Sequence, residues 1–362
     1  MIGVLTPANI DALLSGRRRS LWASSLRTLL RFAEIPYTAA SNLRNRAYDR
    51  GRRTIHRAGV PVISVGNLTT GGTGKTPLVA WLANWFQARG VRVGIVSRGY
   101  KSGRANSGQS TANDEARELA ERLPDVPHLQ NPDRVAAARR AREEFGCELL
   151  ILDDAFQHRR LHRNLDIVLL DALEPFGYGH LLPRGTLREP LAGLSRAHVV
   201  ALSRANLVDA DTRLAIQETA RHFAPDAAWI EVAHQPRELR SSTGEVAPLA
   251  ALSNQPLAAF CGIGNPAGFR RTLETCGLQV AGFLEFADHH AYAPSDLAAL
   301  ADWGDRIAGA AAFVCTHKDL VKINAPKIGR LPLWALAIEM QLLTGEVELL
   351  AKLASLIPRY PS

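Results

Sequence analysis

Residues 62–77 read VISVGNLTTGGTGKTP: a short apolar run, a glycine-rich turn, then Lys75 and Thr76 where a helix to about residue 88 is predicted. Between a strand and a helix, such a turn offers backbone N–H groups to an anion and adds the positive end of the helix dipole. Lys75 can reach the β- and γ-phosphates of a nucleotide, and the Thr76 hydroxyl can serve Mg²⁺. Gly71, Gly72, Thr73, Gly74, Lys75 and Thr76 are therefore the candidate nucleotide-binding residues. A turn carrying a chance Gly-Lys-Thr is the competing reading, and the strand–turn–helix setting argues against it.

Outward from this loop, short apolar runs alternate with helical patterns. VRVGIVS (91–97), LLIL (149–152), LDIVLL (165–170) and AHVVAL (197–202) read as buried strands. Helices are expected near 115–121, 132–145 and 211–223. That alternation means a parallel sheet with helices on both faces. Beyond residue 229 the pattern becomes alternating, with a turn signal at Ser242-Thr243-Gly244, as in a β-ribbon. A second α/β pattern follows, with strands at 257–261, 280–286 and 312–315. The expected organisation is a basic N-terminal segment (1–60), a nucleotide-binding domain (61–228), a ribbon linker (229–252) and a C-terminal α/β domain (253–362).

The loop departs from the strict GxxxxGK[ST] spacing, because Thr69 stands where the first glycine belongs. GGTGKT is similar instead to the deviant loop of the SIMIBI class of P-loop proteins, although Thr70 stands in place of that class's signature lysine. The expected fold is thus α/β: a SIMIBI-like P-loop NTPase parallel sheet, plus a smaller C-terminal α/β domain joined by the ribbon. On such a sheet LLILDD (149–154) ends at the edge facing the nucleotide, where an aspartate holds Mg²⁺ directly or through water. Read alone, Asp153 and Asp154 would be a helix cap or loop acids.

The net charge of +8 is local: residues 1–60 hold eleven arginines against three acids, so residues 61–362 are formally neutral. Within residues 20–40, Leu21, Trp22, Leu26, Leu29, Leu30 and Phe32 recur near helical spacing, with Arg27 and Arg31 offset. A basic amphipathic helix with a Trp on its apolar side suits an anionic membrane surface. It also suits an ordinary surface helix whose arginines are solvated. Nucleic acid fits less well, since nothing downstream resembles a base-reading module. The four cysteines, Cys147, Cys261, Cys276 and Cys315, lack metal-like spacing and read as buried apolar residues of a reducing compartment. No secretory signal and no spanning apolar run is expected, and so a cytosolic protein or one on a cytosolic surface.

Further motifs stand in order: SRGY (97–100), NDE (113–115), LDDAFQH (152–158), LPRGTLREP (182–190), GIGNP (262–266), FADHH (286–290) and THKD (316–319). With GNLTTGGTGKTP at their head, the series resembles the tetraacyldisaccharide 4'-kinase family of the lipid A pathway over roughly residues 61–322, plus the basic N-terminal helix. The resemblance implies an ATP- and Mg²⁺-dependent kinase, peripheral on the cytoplasmic face of the bacterial inner membrane. Its acceptor would be the 4'-hydroxyl of tetraacyldisaccharide 1-phosphate, giving lipid IVA, with no obligate protein partner and no nucleic acid.

By the same resemblance Asp114 matches the catalytic carboxylate, paired with a histidine of the DHH motif, His289 in preference to His290. A sugar hydroxyl attacking phosphorus must lose a proton, which a carboxylate backed by imidazole can take. Thr76, Asp153, Asp154 and Glu189 match the Mg²⁺ site, and Arg188 would neutralise charge on the transferring phosphoryl group. The chain departs from the family pattern at Ala116, Ala155 and His317, none of which removes a functional group. Because Asp114 and His289 fall on opposite sides of the ribbon, domain closure is expected. THKD has no assigned role. The alternative is a membrane-associated SIMIBI-type ATPase or GTPase switch, which leaves Asp114, Arg188 and His289 unexplained.

Overall fold

In the computed structural model, β1 (Val62–Asn67) is buried at every position, polar Ser64 and Asn67 included, as a central parallel strand is. The structure describes residues 7–99, 114–288 and 290–358. The chain divides into two compact units: Met1–Gly99, Leu123–Ala233 and Met340–Ser362 form one, Tyr100–Arg122 and His234–Glu339 the other.

The first unit begins with α1 (Pro7–Leu14) and α2 (Leu21–Asp49), ahead of β1. After β1 come α3 (Lys75–Gln87), β2 (Val93–Ser97), β3 (His128–Gln130), β4 (Leu149–Asp153), β5 (Leu165–Asp171), β6 (Val199–Ser203) and the start of β7 (Ala228–Arg240). These strands lie in the order β7-β6-β5-β1-β4-β2-β3, every pairing parallel. Helix 134–143 sets Ala137, Ala138 and Ala141 on Val62, Val96 and Leu150. Helix 210–223 sets Ile216 and Ala220 on Val168, Val200 and Leu202. Small residues on the first helix let it lie close to the sheet, and the apolar strand run needs such cover.

The second unit holds α4 (Asp114–Arg122), and β7 turns at Ser241–Glu245 into β8 (Val246–Pro248) to make the antiparallel ribbon. Strands β9 (Pro256–Cys261), β10 (Gln279–Glu285), β11 (Ala312–Thr316) and β13 (Leu331–Thr344) form the parallel order β10-β9-β11-β13, with β12 (Lys327–Ile328) antiparallel on β13. The chain returns to the first unit along β13, and residues 340–362, placed by sequence in the C-terminal domain, belong to the first unit. Residues 114–122, placed by sequence in the nucleotide-binding domain, belong to the second. The reason is a long-range contact: His317 lies 3.1 Å from Glu121 and 3.9 Å from Glu118, which fastens α4 to the helix that follows β11.

Helix α2 passes through Pro36 and ends at Asp49, beyond the stretch 20–40 that carries the amphipathic pattern. Ser20 caps it by accepting from the Ala23 N–H. Leu21, Trp22, Leu29, Phe32 and Ile35 are exposed along it, Leu21 by 89%. Among the described residues no helix is long and apolar enough to cross a membrane.

Candidate active site

The phosphate loop leaves β1 at Asn67 and enters α3 at Lys75 through Gly74, whose φ of 80° is left-handed and suits glycine. No side chain caps α3, so its first N–H groups are available to an anion. Two contacts shape the loop from within. Asn67 donates from Nδ2 to the Thr73 hydroxyl at 3.1 Å, and Arg204 donates from Nη2 to the Gly72 carbonyl at 2.7 Å. Arg204 also pairs with Asp171 at the end of β5 and holds a left-handed φ of 56°. Such a conformation is unusual for arginine and is held by its surroundings. Burial pushes the Asp171 carboxyl up, against the pull of Arg204.

Gly66 sets the spacing between β1 and the turn after β4. A Cβ there would stand 2.7 Å from the Phe156 backbone nitrogen, a distance real side chains do not adopt. That turn carries Asp153 and Asp154, the former opposite Val65 in the β1–β4 register. Asp154 lies at a left-handed φ of 49°. Its carboxylate accepts from Arg188 Nη1 at 2.8 and 2.9 Å and stands 3.5 Å from the Lys75 ammonium. Burial opposes its ionisation, but Lys75 and Arg188 outweigh burial and hold the carboxyl below the usual carboxylate range.

Arg188 comes from a segment laced to the chain entering the loop. Thr70 N–H donates to Thr186 O at 2.8 Å, and Arg188 N–H donates to Leu68 O at 2.7 Å. Glu189 beside it is fully buried. Its oxygens accept from Arg196 (2.9 and 2.8 Å), Asn45 of α2 (2.9 Å) and Gln157 (3.1 Å). Gln157 also donates to the Asn67 carbonyl at 2.8 Å. Of the four predicted metal ligands, Thr76 and Asp153 are buried where the loop meets β4. The Glu189 carboxylate is taken up by Arg196, Asn45 and Gln157, and the Asp154 carboxylate faces Arg188 and Lys75. Among the described residues no cluster of three or more His, Cys, Asp or Glu could hold a metal by itself. One or two carboxylates and a hydroxyl nonetheless fit Mg²⁺, which takes the rest of its shell from phosphate and water.

Asp114 is the first residue of α4; its side chain and all of His289 lie outside the described residues. The residues around His289 are organised. His290 Nε2 sits 2.9 Å from Asp296 and its ring stacks on Phe286. Asp319 of THKD is fully buried and accepts from the Tyr292 hydroxyl (3.0 Å), the Thr316 hydroxyl (2.6 Å) and the Gly262 N–H (3.2 Å). THKD thus staples the GIGNP loop to the stretch following DHH. His158 is held neutral near pH 7: burial, then Arg134, Arg160 and Arg163, push its pKa down to about 4.

Asn45, Tyr37, Asn67, Gln157, Asp171 and Arg204 were not foreseen as site residues. Asp171 had a readable signal, an acid ending a buried strand just as Asp153 does. Asn45 and Tyr37 had none, because their partners lie 144 and 151 positions away.

A family model described as tetraacyldisaccharide-1-P 4'-kinase matches residues 26–357. A tetraacyldisaccharide 4'-kinase of Anaeromyxobacter sp. (strain K) is 44% identical over 308 residues, covering 82% of this chain and 81% of its own. One of Anaeromyxobacter sp. (strain Fw109-5) is 38% identical and covers 97% of both chains. The crystal structure of LpxK from Aquifex aeolicus in complex with ATP superposes with a TM-score of 0.75 at 32% identity, covering 92% of this chain and 100% of that one.

Proposed function

This chain belongs to the tetraacyldisaccharide-1-P 4'-kinase family, and from that membership we propose how its residues divide the work of phosphoryl transfer. The protein is an ATP-binding kinase of lipid A biosynthesis, which phosphorylates the 4'-hydroxyl of a tetraacylated glucosamine disaccharide 1-phosphate.

The N–H groups of residues 71–76 wrap the triphosphate, and Lys75 bridges its β- and γ-phosphates. Thr76 and Asp153 would hold Mg²⁺, with Asp154 and Glu189 as the further carboxylates of that site. Bound there, the ion would neutralise phosphate charge. Arg188 faces the charge growing on the γ-phosphoryl group. Asp114, assisted by His289, takes the proton from the acceptor hydroxyl as its oxygen bonds to phosphorus and the bond to the β-phosphate oxygen breaks. His290 is engaged by Asp296, which favours His289 as the partner of Asp114.

The observation that carries this division is the gathering of Lys75 and Arg188 on one carboxylate, that of Asp154, beside the phosphate loop. Two cations held at that place meet the charge of a triphosphate rather than that of a neutral ligand.

We further propose that α2 lies on the anionic cytoplasmic face of the inner membrane. Exposed Leu21, Trp22, Leu29 and Phe32 enter the headgroup boundary while arginines meet lipid phosphates. The concrete test is incubation of the purified protein with ATP, Mg²⁺ and tetraacyldisaccharide 1-phosphate in detergent. The 4'-phosphorylated product should accumulate in step with ADP. ADP release without that product, stimulated by a protein partner, would point instead to a nucleotide-driven switch.

A further inference from the structure

Two side chains of α2 reach Arg188 and Glu189, two residues of the proposed site. The Tyr37 hydroxyl donates to the Arg188 backbone carbonyl at 3.0 Å. The Asn45 amide donates to the buried Glu189 carboxylate at 2.9 Å. Just over two helical turns, about 12 Å of rise, separate the two contact points along α2.

Each contact continues inward. From Arg188 the guanidinium passes to Asp154, which stands 3.5 Å from Lys75. From Glu189 the path runs through Gln157 Nε2, 3.1 Å away, to the Asn67 carbonyl at 2.8 Å. Asn67 in turn holds Thr73 within the loop. Apart from the Lys75–Asp154 ion pair, both routes consist of buried or half-buried hydrogen bonds, where an unmade bond costs more than at the surface. α2 is fixed at further points: Glu34 accepts from the Leu181 N–H at 2.7 Å, and Asp49 from Arg159 at 2.6 Å. A helix so tied along its length is a rigid reference for what touches it.

We propose that Tyr37 and Asn45 are positioning residues for phosphoryl transfer, Tyr37 acting through Arg188 and Asn45 acting through Glu189 and Gln157 on the phosphate loop. The inference rests on the reading of Arg188 as the arginine that meets the transferring group. It gives α2 a second duty beside any lipid contact, since the helix with the exposed apolar residues also sets the backbone of Arg188.

The test is a double-mutant cycle on the full-length enzyme. Tyr37→Phe removes one hydroxyl and should lower kcat about tenfold, the size of one well-placed hydrogen bond, with KM for ATP changed less than about twofold. In an Arg188→Ala background the same substitution should change nothing further. An equal loss in both backgrounds, or no loss in the native one, overturns the assignment.

A second arm needs no acceptor. Amide hydrogen exchange should quicken at residues 67–73 in Asn45→Leu, and a change confined to α2 overturns the Asn45 route. If the unsubstituted enzyme yields no 4'-phosphorylated product, the kinase reading fails, and the exchange arm still decides the positioning claim.

Discussion

Arg188 Nη1 lies 2.8 and 2.9 Å from the two carboxylate oxygens of Asp154. That pair joins the turn after β4 to the segment 186–188, whose arginine is proposed to meet the terminal phosphate. Asp154 also faces Lys75, so one carboxylate holds two cations that would otherwise repel.

Asp154→Asn should therefore separate binding from turnover. Removing the anion leaves Lys75 and Arg188 freer to take phosphate, so affinity for ATP without Mg²⁺ should hold or rise. Loss of their alignment should cut kcat about a hundredfold. Calorimetric titration with ATP and steady-state assays check both halves.

The same carboxylate gives an acid signature. Its folded pKa is depressed, so its contribution to stability is present above the unfolded value of about 3.9 and is lost as pH falls through the lower folded value. The difference in Tm between the native chain and Asp154→Asn should be constant from about pH 7 to 5 and shrink below about pH 4. A difference that grows toward acid would contradict the assignment.

Glu189→Ala tests what holds the buried carboxylate. It leaves Arg196 buried without its partner, so the chain should lose about 3 kcal/mol of stability in urea unfolding. A residue serving only as a metal ligand would lower activity and leave the unfolding midpoint in place.

Arg204→Ala removes the brace on the Gly72 carbonyl and strands Asp171 in a buried setting. ATP affinity should fall about tenfold, as for one charge-assisted hydrogen bond that shapes the loop. Unchanged affinity would show that the loop holds its form without that brace.

On α2, replacing Leu21, Trp22, Leu29 and Phe32 together by Ser should abolish sedimentation with vesicles rich in phosphatidylglycerol. ATP affinity in detergent should persist, because these side chains are exposed. Retained vesicle binding would move the lipid contact elsewhere.

How much of this was legible follows from the range of each interaction. The loop at residues 71–76 and the acid-ended strand at 149–153 are local patterns, and the family motifs placed Arg188 and Glu189 by order alone. The sequence did not reveal that Glu189 is clasped by Asn45, since no periodicity links positions so far apart. Assigning α4 to a unit depended likewise on His317 meeting Glu118 and Glu121, a pairing made only in the folded chain. β13 is hard to read because LPLWALAIEMQLLT does not alternate cleanly, although the Gly329-Arg330 turn bounds its start. Asp114 and His289 stand on resemblance alone, as the described residues include neither the Asp114 side chain nor any part of His289.

The most direct measurement is therefore made on Asp114. With saturating ATP, Mg²⁺ and the glycolipid acceptor, Asp114→Ala should lose between about a hundredfold and ten-thousandfold in kcat, the reach of a general base. Its ATP dissociation constant should match that of the native enzyme. Turnover within a few-fold of native, at equal ATP binding, would contradict the account.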